Sequence, residues 1–142
     1  MFSITCFSQD EMIVVEHIGP NDPTILPAYF LSGCDKFDDY VNEDPDFRYL
    51  HQCLNAKTFI KIDSIICTCS LVKEKSSSYS FGTFRISRFS DTEKVYEYYI
   101  VGKKNSIEFF QKIISATKDT PSSETVAKKM NYFVEVIDLN DN

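Results

Sequence analysis

The sequence predicts an α+β fold, a single domain in which an antiparallel β-meander of about five strands carries helices mainly on one face. Three observations predict it. Segments rich in β-branched and aromatic residues, separated by short turns, dominate the middle of the chain. The last third instead carries apolar residues at helical spacing. The length of 142 residues fits one domain, so residues 1–142 are expected to fold together.

The N-terminal part begins with two predicted strands, residues 2–7 and 12–17. β-branched residues dominate the second of them. Glycine, proline, asparagine and aspartate then cluster in residues 19–23, where they favour a turn. An apolar, partly extended stretch, residues 25–31, follows this turn.

Two helices are predicted next. Residues 34–46 carry apolar side chains at helical spacing and predict a short acidic helix that Pro45 ends. Asp44 before Pro45 is the pattern of an N-cap followed by proline at the first helical position. The second helix is expected to run to about residue 55 with the apolar stripe Phe47, Leu50 and Leu54.

The middle of the chain is predicted to be β-rich. Residues 58–62 alternate in polarity, and residues 65–71 alternate with the opposite parity, which predicts a bulge or break near residues 63–64. Residues 79–89 and 94–101 predict two further strands joined by a short turn. Short connections between consecutive strands favour antiparallel pairing.

The last third predicts two helices. Residues 104–117 carry an apolar stripe at helical spacing. Thr120 before Pro121 predicts a second helix start. Residues 132–137 are also compatible with a closing strand, but helical spacing persists over twelve residues from Val126 to Ile137, so a helix is favoured.

Charge is divided by position along the chain. Residues 1–46 carry ten acids against one base, a net charge of −9, whereas residues 47–142 carry a net charge of +3. This division predicts one strongly negative surface, which attracts a basic protein and repels nucleic acid and anionic membranes. The acidic third is part of the single domain rather than a separate unit.

The acidic segment supplies the candidate partner-binding residues. Tyr40 is the predicted aromatic anchor, since anchors inside a charged rim are typical of tight interfaces. The alternative is a solvated helix face whose aromatic side chains turn inward. The predicted electrostatic field comes from six carboxylates: Asp35, Asp38, Asp39, Glu43, Asp44 and Asp46.

Metal and catalytic signatures are weak, and the sequence predicts no metal, no cofactor and no enzyme activity. Cys67 and Cys69 could join His51 and Cys53 in a zinc set, but this Cys-x-Cys lies in a predicted apolar strand, where two buried thiols on one face are favoured. The acidic segment lacks the glycine and final glutamate of an EF-hand loop. A catalytic site around His51 and Cys53 stays a minor alternative.

Basic and aromatic residues interleave in one predicted strand, where Arg85 and Arg88 lie among Phe81, Phe84 and Phe89. Such interleaving is one pattern of nucleic-acid binding. A pI near 4.9 opposes that function. The alternative is that these arginines are ordinary surface charges or partners of the acidic third within the fold.

The N-terminus has no basic region followed by a long apolar run, and no stretch approaches the roughly 20 apolar residues of a membrane span. We therefore expect a cytoplasmic protein without membrane contact. Its five cysteines are expected to be reduced.

Small acidic α+β domains without motifs are similar in type to bacterial immunity proteins. The leading hypothesis is therefore a non-enzymatic immunity or antitoxin protein that inhibits a basic nuclease toxin through the acidic segment. A second hypothesis is a dimeric secretion-type chaperone or adaptor, with Met130 and Phe133 at the dimer seam or in a client groove.

Overall fold

The structure is a computed structural model that describes residues 11–18, 25–32, 50–69, 71, 84–100 and 102–140. These residues form a five-stranded sheet and three helices in one α+β domain, which confirms the predicted fold class. The strands are β1 Glu11–His17, β2 Ala28–Ser32, β3 Leu50–Cys53, β4 Phe84–Ser90 and β5 Glu93–Ile100. The helices are α1 Ala56–Thr68, α2 Lys103–Thr117 and α3 Ser123–Asn140.

The sheet is mixed, with the strand order β3-β2-β1-β4-β5. Three neighbouring pairs are antiparallel, and β2 with β3 is parallel. Residues 33–49 separate β2 from β3, and a parallel crossover needs a connection of about a dozen residues or more. The sheet therefore departs from an antiparallel meander at this parallel pair, and also where β1 pairs with β4, which does not follow it in the sequence.

The core lies between one face of the sheet and the helices. Ile13 and Val15 of β1 belong to it, whereas Val14 between them does not, as the two-residue repeat of a strand requires. Phe84 of β4 joins sheet and helices, since its ring centroid lies 4.8 Å from that of Phe110 in α2 and 5.1 Å from that of Phe133 in α3. Burying each such aromatic side chain contributes about 1.5–3 kcal/mol.

Two sequence predictions for the middle of the chain are wrong. Residues 50–53 form strand β3 instead of continuing a helix, and residues 58–62 and 65–68 belong to helix α1 instead of two strands. Phe59, Ile62 and Ile66 are buried at helical spacing. A helical stripe read with a two-residue period looks like two strands of opposite parity, which is why a bulge was predicted near residue 63.

The other strands and helices predicted within the described residues are confirmed, except that the last helix begins at Ser123 and not at Thr120-Pro121. Strands lie at residues 11–17, 84–90 and 93–100, and the last third forms α2 and α3. Residues 132–137 are helical, as the persistent spacing indicated. The predicted strand at residues 2–7 and the predicted acidic helix at residues 34–46 lie outside the described residues.

Candidate functional site

The predicted partner-binding residues all belong to the acidic segment, which lies outside the described part of the chain. They are Asp35, Asp38, Asp39, Tyr40, Glu43, Asp44 and Asp46.

The two described acids of the acidic third are both on β1, and both bind arginines of β4. Arg85 donates from Nε and Nη2 to the two carboxylate oxygens of Glu16, at 3.0 and 3.1 Å. Arg88 donates from Nε to Glu11 at 3.1 Å. Sheet register explains the first pair, because Glu16 lies directly opposite Arg85. The arginines considered for nucleic acid are thus engaged within the fold, which confirms the alternative that they partner the acidic third.

We define the Arg88 cluster as Glu11, Asp63, Arg88, Ser90 and Tyr96. Arg88 Nη1 lies 2.8 Å from Asp63 of α1, and the Tyr96 hydroxyl donates to the same carboxylate at 2.6 Å. The Ser90 hydroxyl donates to Glu11 at 2.6 Å. The cluster therefore joins β1, β4 and β5 to α1 at the edge of the core.

The surroundings of the Arg88 cluster shift the pKa values of its members. Burial and then the hydrogen bond to Asp63 raise the pKa of Tyr96 well above its ordinary value. Burial lowers the pKa of Arg88, but the hydrogen bonds to Glu11 and Asp63 outweigh this and raise it overall. Burial also raises the pKa of the Cys67 thiol, with Asp63 adding to the effect. A neutral thiol is a poor nucleophile.

Polar contacts also line the opposite face of the sheet. The Tyr99 hydroxyl donates to Glu97 at 2.7 Å, and Lys94 forms a salt bridge with the same carboxylate. These two hydrogen bonds, led by that of Lys94, hold the pKa of Glu97 below its ordinary value. The hydrogen bond to Glu16 is the main cause that raises the pKa of Arg85. Residues of both charge signs are thus paired along β4 and β5.

The cysteines differ from the prediction. Cys53 is disulfide-bonded, so the expectation that all five cysteines are reduced is wrong for this residue. Cys67 and Cys69 are free thiols. They lie at the end of helix α1. The Cys69 sulfur is 3.9 Å from the Lys112 ammonium of α2. The carboxylate of Asp63 raises the pKa of Cys67 by charge repulsion. The two thiols therefore do not share one strand face.

The zinc set that the sequence left as a disfavoured alternative is not assembled by these residues. Cys53 has no free thiolate to offer a metal, and the disulfide equally removes it as the nucleophile of the minor catalytic alternative. Within the described ranges, no group of three histidine, cysteine or acidic side chains is arranged to hold a metal ion. The side chain of His51 lies outside the part that the structure describes.

A surface depression between α1 and α2 is lined by Cys69, Asn105, Glu108 and Lys112 among others, and its volume is about 160 Å³. Small-molecule sites usually enclose about 300–1,000 Å³. The depression also has no histidine in its lining. It therefore does not supply a nucleophile together with a histidine.

The sequence missed Asp63 and Tyr96 as members of a polar cluster. The signal was absent because the wrong element was predicted: an aspartate at a supposed strand break gives no reason to look for an arginine 25 positions later in the chain. Once α1 is known to be a helix, Asp63 lies one residue from the buried Ile62 and can reach the sheet edge.

The fold and its paired charges define a single-domain α+β protein in which ion pairs join β1 to β4 and β4 to α1. A comparison with protein families, characterised proteins and solved structures finds no match to the chain. Among the described residues, none of the helices is both long and apolar enough to cross a bilayer. Function must therefore be argued from the residues themselves.

Proposed function

We propose that this chain is a non-enzymatic acidic binding protein that neutralises a basic partner, as an immunity or antitoxin inhibitor of a nuclease toxin. The observation that carries the proposal is the division of charge, with −9 in residues 1–46 against +3 in the remainder. A nuclease exposes a positive cleft to bind phosphate, and an acidic protein that occupies or borders this cleft excludes the substrate.

The ion pairs of the sheet narrow the set of acids to which this proposal applies. Glu11 and Glu16 are neutralised by arginines of β4, so they add little to an external field. The other eight acids of residues 1–46 lie outside the described residues, and six of them fall within residues 35–46. Residues 35–46 therefore hold most of the remaining acids of the N-terminal third, and we propose that this segment binds the partner.

Internal pairing of Arg85 and Arg88 also supports a protein as the partner. Both guanidinium groups bind carboxylates, and their side chains are only 34% and 25% exposed. A phosphate backbone would have to displace these carboxylates before it could bind them. We therefore propose a basic protein partner, with no direct contact to nucleic acid or membrane.

The charge-reversal pair Asp38→Lys with Asp39→Lys tests the proposal. We expect it to weaken co-purification with the product of the neighbouring gene and to abolish protection of cells from that protein's nuclease activity. The matched control is Asp119→Lys with Glu124→Lys, which changes net charge equally at two exposed residues, one in the turn between α2 and α3 and one in the first turn of α3. Unchanged binding of the first variant would refute the role of the acidic segment.

The chaperone alternative receives no support at its predicted surface. Met130 and Phe133 have no exposed area and belong to the core cluster, so the prediction that they form a dimer seam or client groove is wrong. Their helix packs this face against Phe110 and Phe84. A client could reach them only if α3 left the core.

Cytoplasmic placement remains part of the proposal, and the Cys53 disulfide weighs against it, because disulfides persist mainly in oxidising compartments. A thiol titration of denatured protein, trapped in acid directly from cells, decides this point. Five reactive thiols would support a reducing compartment, and three would support an oxidising one, since a disulfide removes two of the five cysteines.

A further inference from the structure

We propose that the disulfide at Cys53 is a redox switch that sets how tightly the acidic segment binds its partner. This inference rests on the proposed function, because it concerns the same segment and the same partner. Cys53 is the last residue of strand β3 and is disulfide-bonded. Since Cys67 and Cys69 are free thiols, Cys53 is bonded to one of the two remaining cysteines, Cys6 or Cys34.

Chain length allows either pairing. In the parallel register Cys53 lies opposite Leu31, and Cys34 is three residues further along the chain than Leu31. Cys6 precedes the start of β1 by five residues, and β1 lies two strands away from β3. Three residues span up to about 10 Å and five up to about 17 Å, whereas neighbouring strands are about 4.8 Å apart. Both cysteines are therefore within reach of Cys53.

Either pairing encloses the whole acidic segment in one covalent loop. The loop runs over residues 34–53 if Cys34 is the partner and over residues 6–53 if Cys6 is the partner. The seven proposed partner-binding residues all fall within residues 35–46, which lie inside both loops. The redox state of a single bond therefore acts on every residue that we propose to bind the partner.

Closing the loop is expected to strengthen binding, because a constrained segment loses less conformational freedom when it enters a complex. Without the bond, the described part of the chain holds β3 beside β2 through only four residue pairs, and β3 is the last strand in the sheet order. Short terminal elements of this kind open more readily than the core. Reduction is therefore expected to weaken partner binding roughly 5–150-fold, the usual range of coupling between two events.

The switching step is a thiol–disulfide exchange with a dithiol reductant. One thiolate of the reductant attacks a sulfur of the protein disulfide, and its second thiol then resolves the mixed disulfide. The protein gains two electrons and two protons as two thiols, and the reductant becomes a disulfide. Cys53 is half-buried and not enclosed in the core, and the exchange requires such access. Disulfides in reducing compartments are usually transient and redox-sensing, in agreement with a switch.

Peptide mapping of the alkylated, unreduced chain identifies the bond. Trypsin, which cleaves after lysine and arginine, should release residues 1–36 covalently linked to residues 49–57. Cyanogen bromide cleavage at Met12 then separates Cys6 from Cys34 and shows which of them is bonded. Recovery of residues 49–57 with an alkylated thiol, after the chain has been equilibrated with a disulfide oxidant, would overturn the proposal.

Isothermal titration with the product of the neighbouring gene measures the effect of the bond on affinity. We expect the oxidised chain to bind roughly 5–150-fold more tightly than the dithiol-reduced chain. Cys53→Ser should bind as the reduced chain does under both conditions. The matched control is Cys67→Ser with Cys69→Ser, which removes two cysteines outside the loop and should keep the full redox difference. If Cys53→Ser does not fold, reduction of the unmodified chain decides the matter without a substitution.

Reciprocity supplies a second readout, because a partner that binds the oxidised chain more tightly must make the disulfide harder to reduce by the same factor. A redox titration with and without the partner measures this factor. Salt-sensitive binding of equal strength in both redox states would overturn the switch and leave the acidic inhibitor standing, whereas no binding in either state would overturn both. A reduced chain that unfolds, as judged by circular dichroism, would also overturn the switch, since the bond would then act on the fold and not on the segment.

Discussion

Lys129 shows how far a residue can depart from what its neighbours in sequence suggest. It follows Lys128 in what looks like a surface pair of charges, yet its side chain has no exposed area. Its ammonium donates to the Leu26 carbonyl at 2.8 Å and lies 4.8 Å from the centre of the Phe133 ring. The hydrogen bond from Lys129 therefore holds the segment before β2 against helix α3.

We predict that Lys129→Met lowers the free energy of unfolding by about 1–3 kcal/mol, the usual cost of leaving a buried polar group without its partner. Urea denaturation measures this. The control is Lys128→Met, which removes a half-exposed lysine whose partner Glu124 is 81% exposed, and it should change stability by less than about 0.5 kcal/mol. Equal effects of the two substitutions would contradict the structural role of Lys129.

Tyr96 predicts how stability depends on pH in the alkaline range. Its pKa is raised in the folded protein by burial and by the bond to Asp63, from an ordinary value of 10.0. Above pH 10 the unfolded chain releases the Tyr96 proton while the folded chain retains it. The contribution of Tyr96 to the free energy of unfolding is therefore full below pH 10 and falls as pH rises above it. Denaturation of the wild type from pH 8 to pH 11 should show this fall.

Tyr96→Phe should flatten the alkaline part of that profile, because the variant has no proton to release at this position. A smaller slope should remain, since the hydrogen bond to Glu97 and burial also raise the pKa of Tyr99. A profile that is as steep in Tyr96→Phe as in the wild type would show that Tyr96 does not contribute.

At the scale of elements, the sequence around the start of α1 carries both a helix-capping residue and an alternation of polarity that resembles a strand. Asn55 accepts a hydrogen bond from the Thr58 backbone N–H at 2.8 Å and so caps the helix. Asparagine three residues before Thr58 was visible in the sequence, but it was read as a helix end rather than a helix start. The cap and the buried stripe of Phe59, Ile62 and Ile66 together decide the element.

We predict that Asn55→Ala lowers the free energy of unfolding by about 1 kcal/mol, since one of the first backbone N–H groups of α1 loses its acceptor. Asn55→Ser, which retains a capping oxygen, should stay within a few tenths of a kcal/mol of the wild type. Thermal melts of both variants measure the difference. Similar losses in the two would mean that Asn55 acts through packing and not as a cap.

Elements with a long, consistent period could be predicted from the sequence, and short ones could not. β1, β4 and β5 and the two C-terminal helices follow their local patterns. β3 has four residues, too few to establish a period, and its parallel place beside β2 depends on a crossover that local sequence does not encode. The Arg88–Glu11 pair joins residues 77 positions apart, so only the sheet register reveals it.

At the scale of the whole molecule, the fold pairs part of its own negative charge with arginines. The described residues neutralise Glu11, Glu16 and Asp63 with arginines of one strand. The candidate acidic segment was predicted from composition alone and lies outside the described residues. Its charge acts at long range, so its effect is measurable in solution.

The most direct test of the acidic-inhibitor proposal is the association rate between this chain and the neighbouring gene product, measured by stopped flow as salt concentration rises. Electrostatic steering predicts a fall of roughly 10–1,000-fold between low and high salt, and a much weaker salt dependence for Asp38→Lys with Asp39→Lys. An association rate indifferent to salt in the wild type would contradict the proposal that the acidic segment recognises a basic partner.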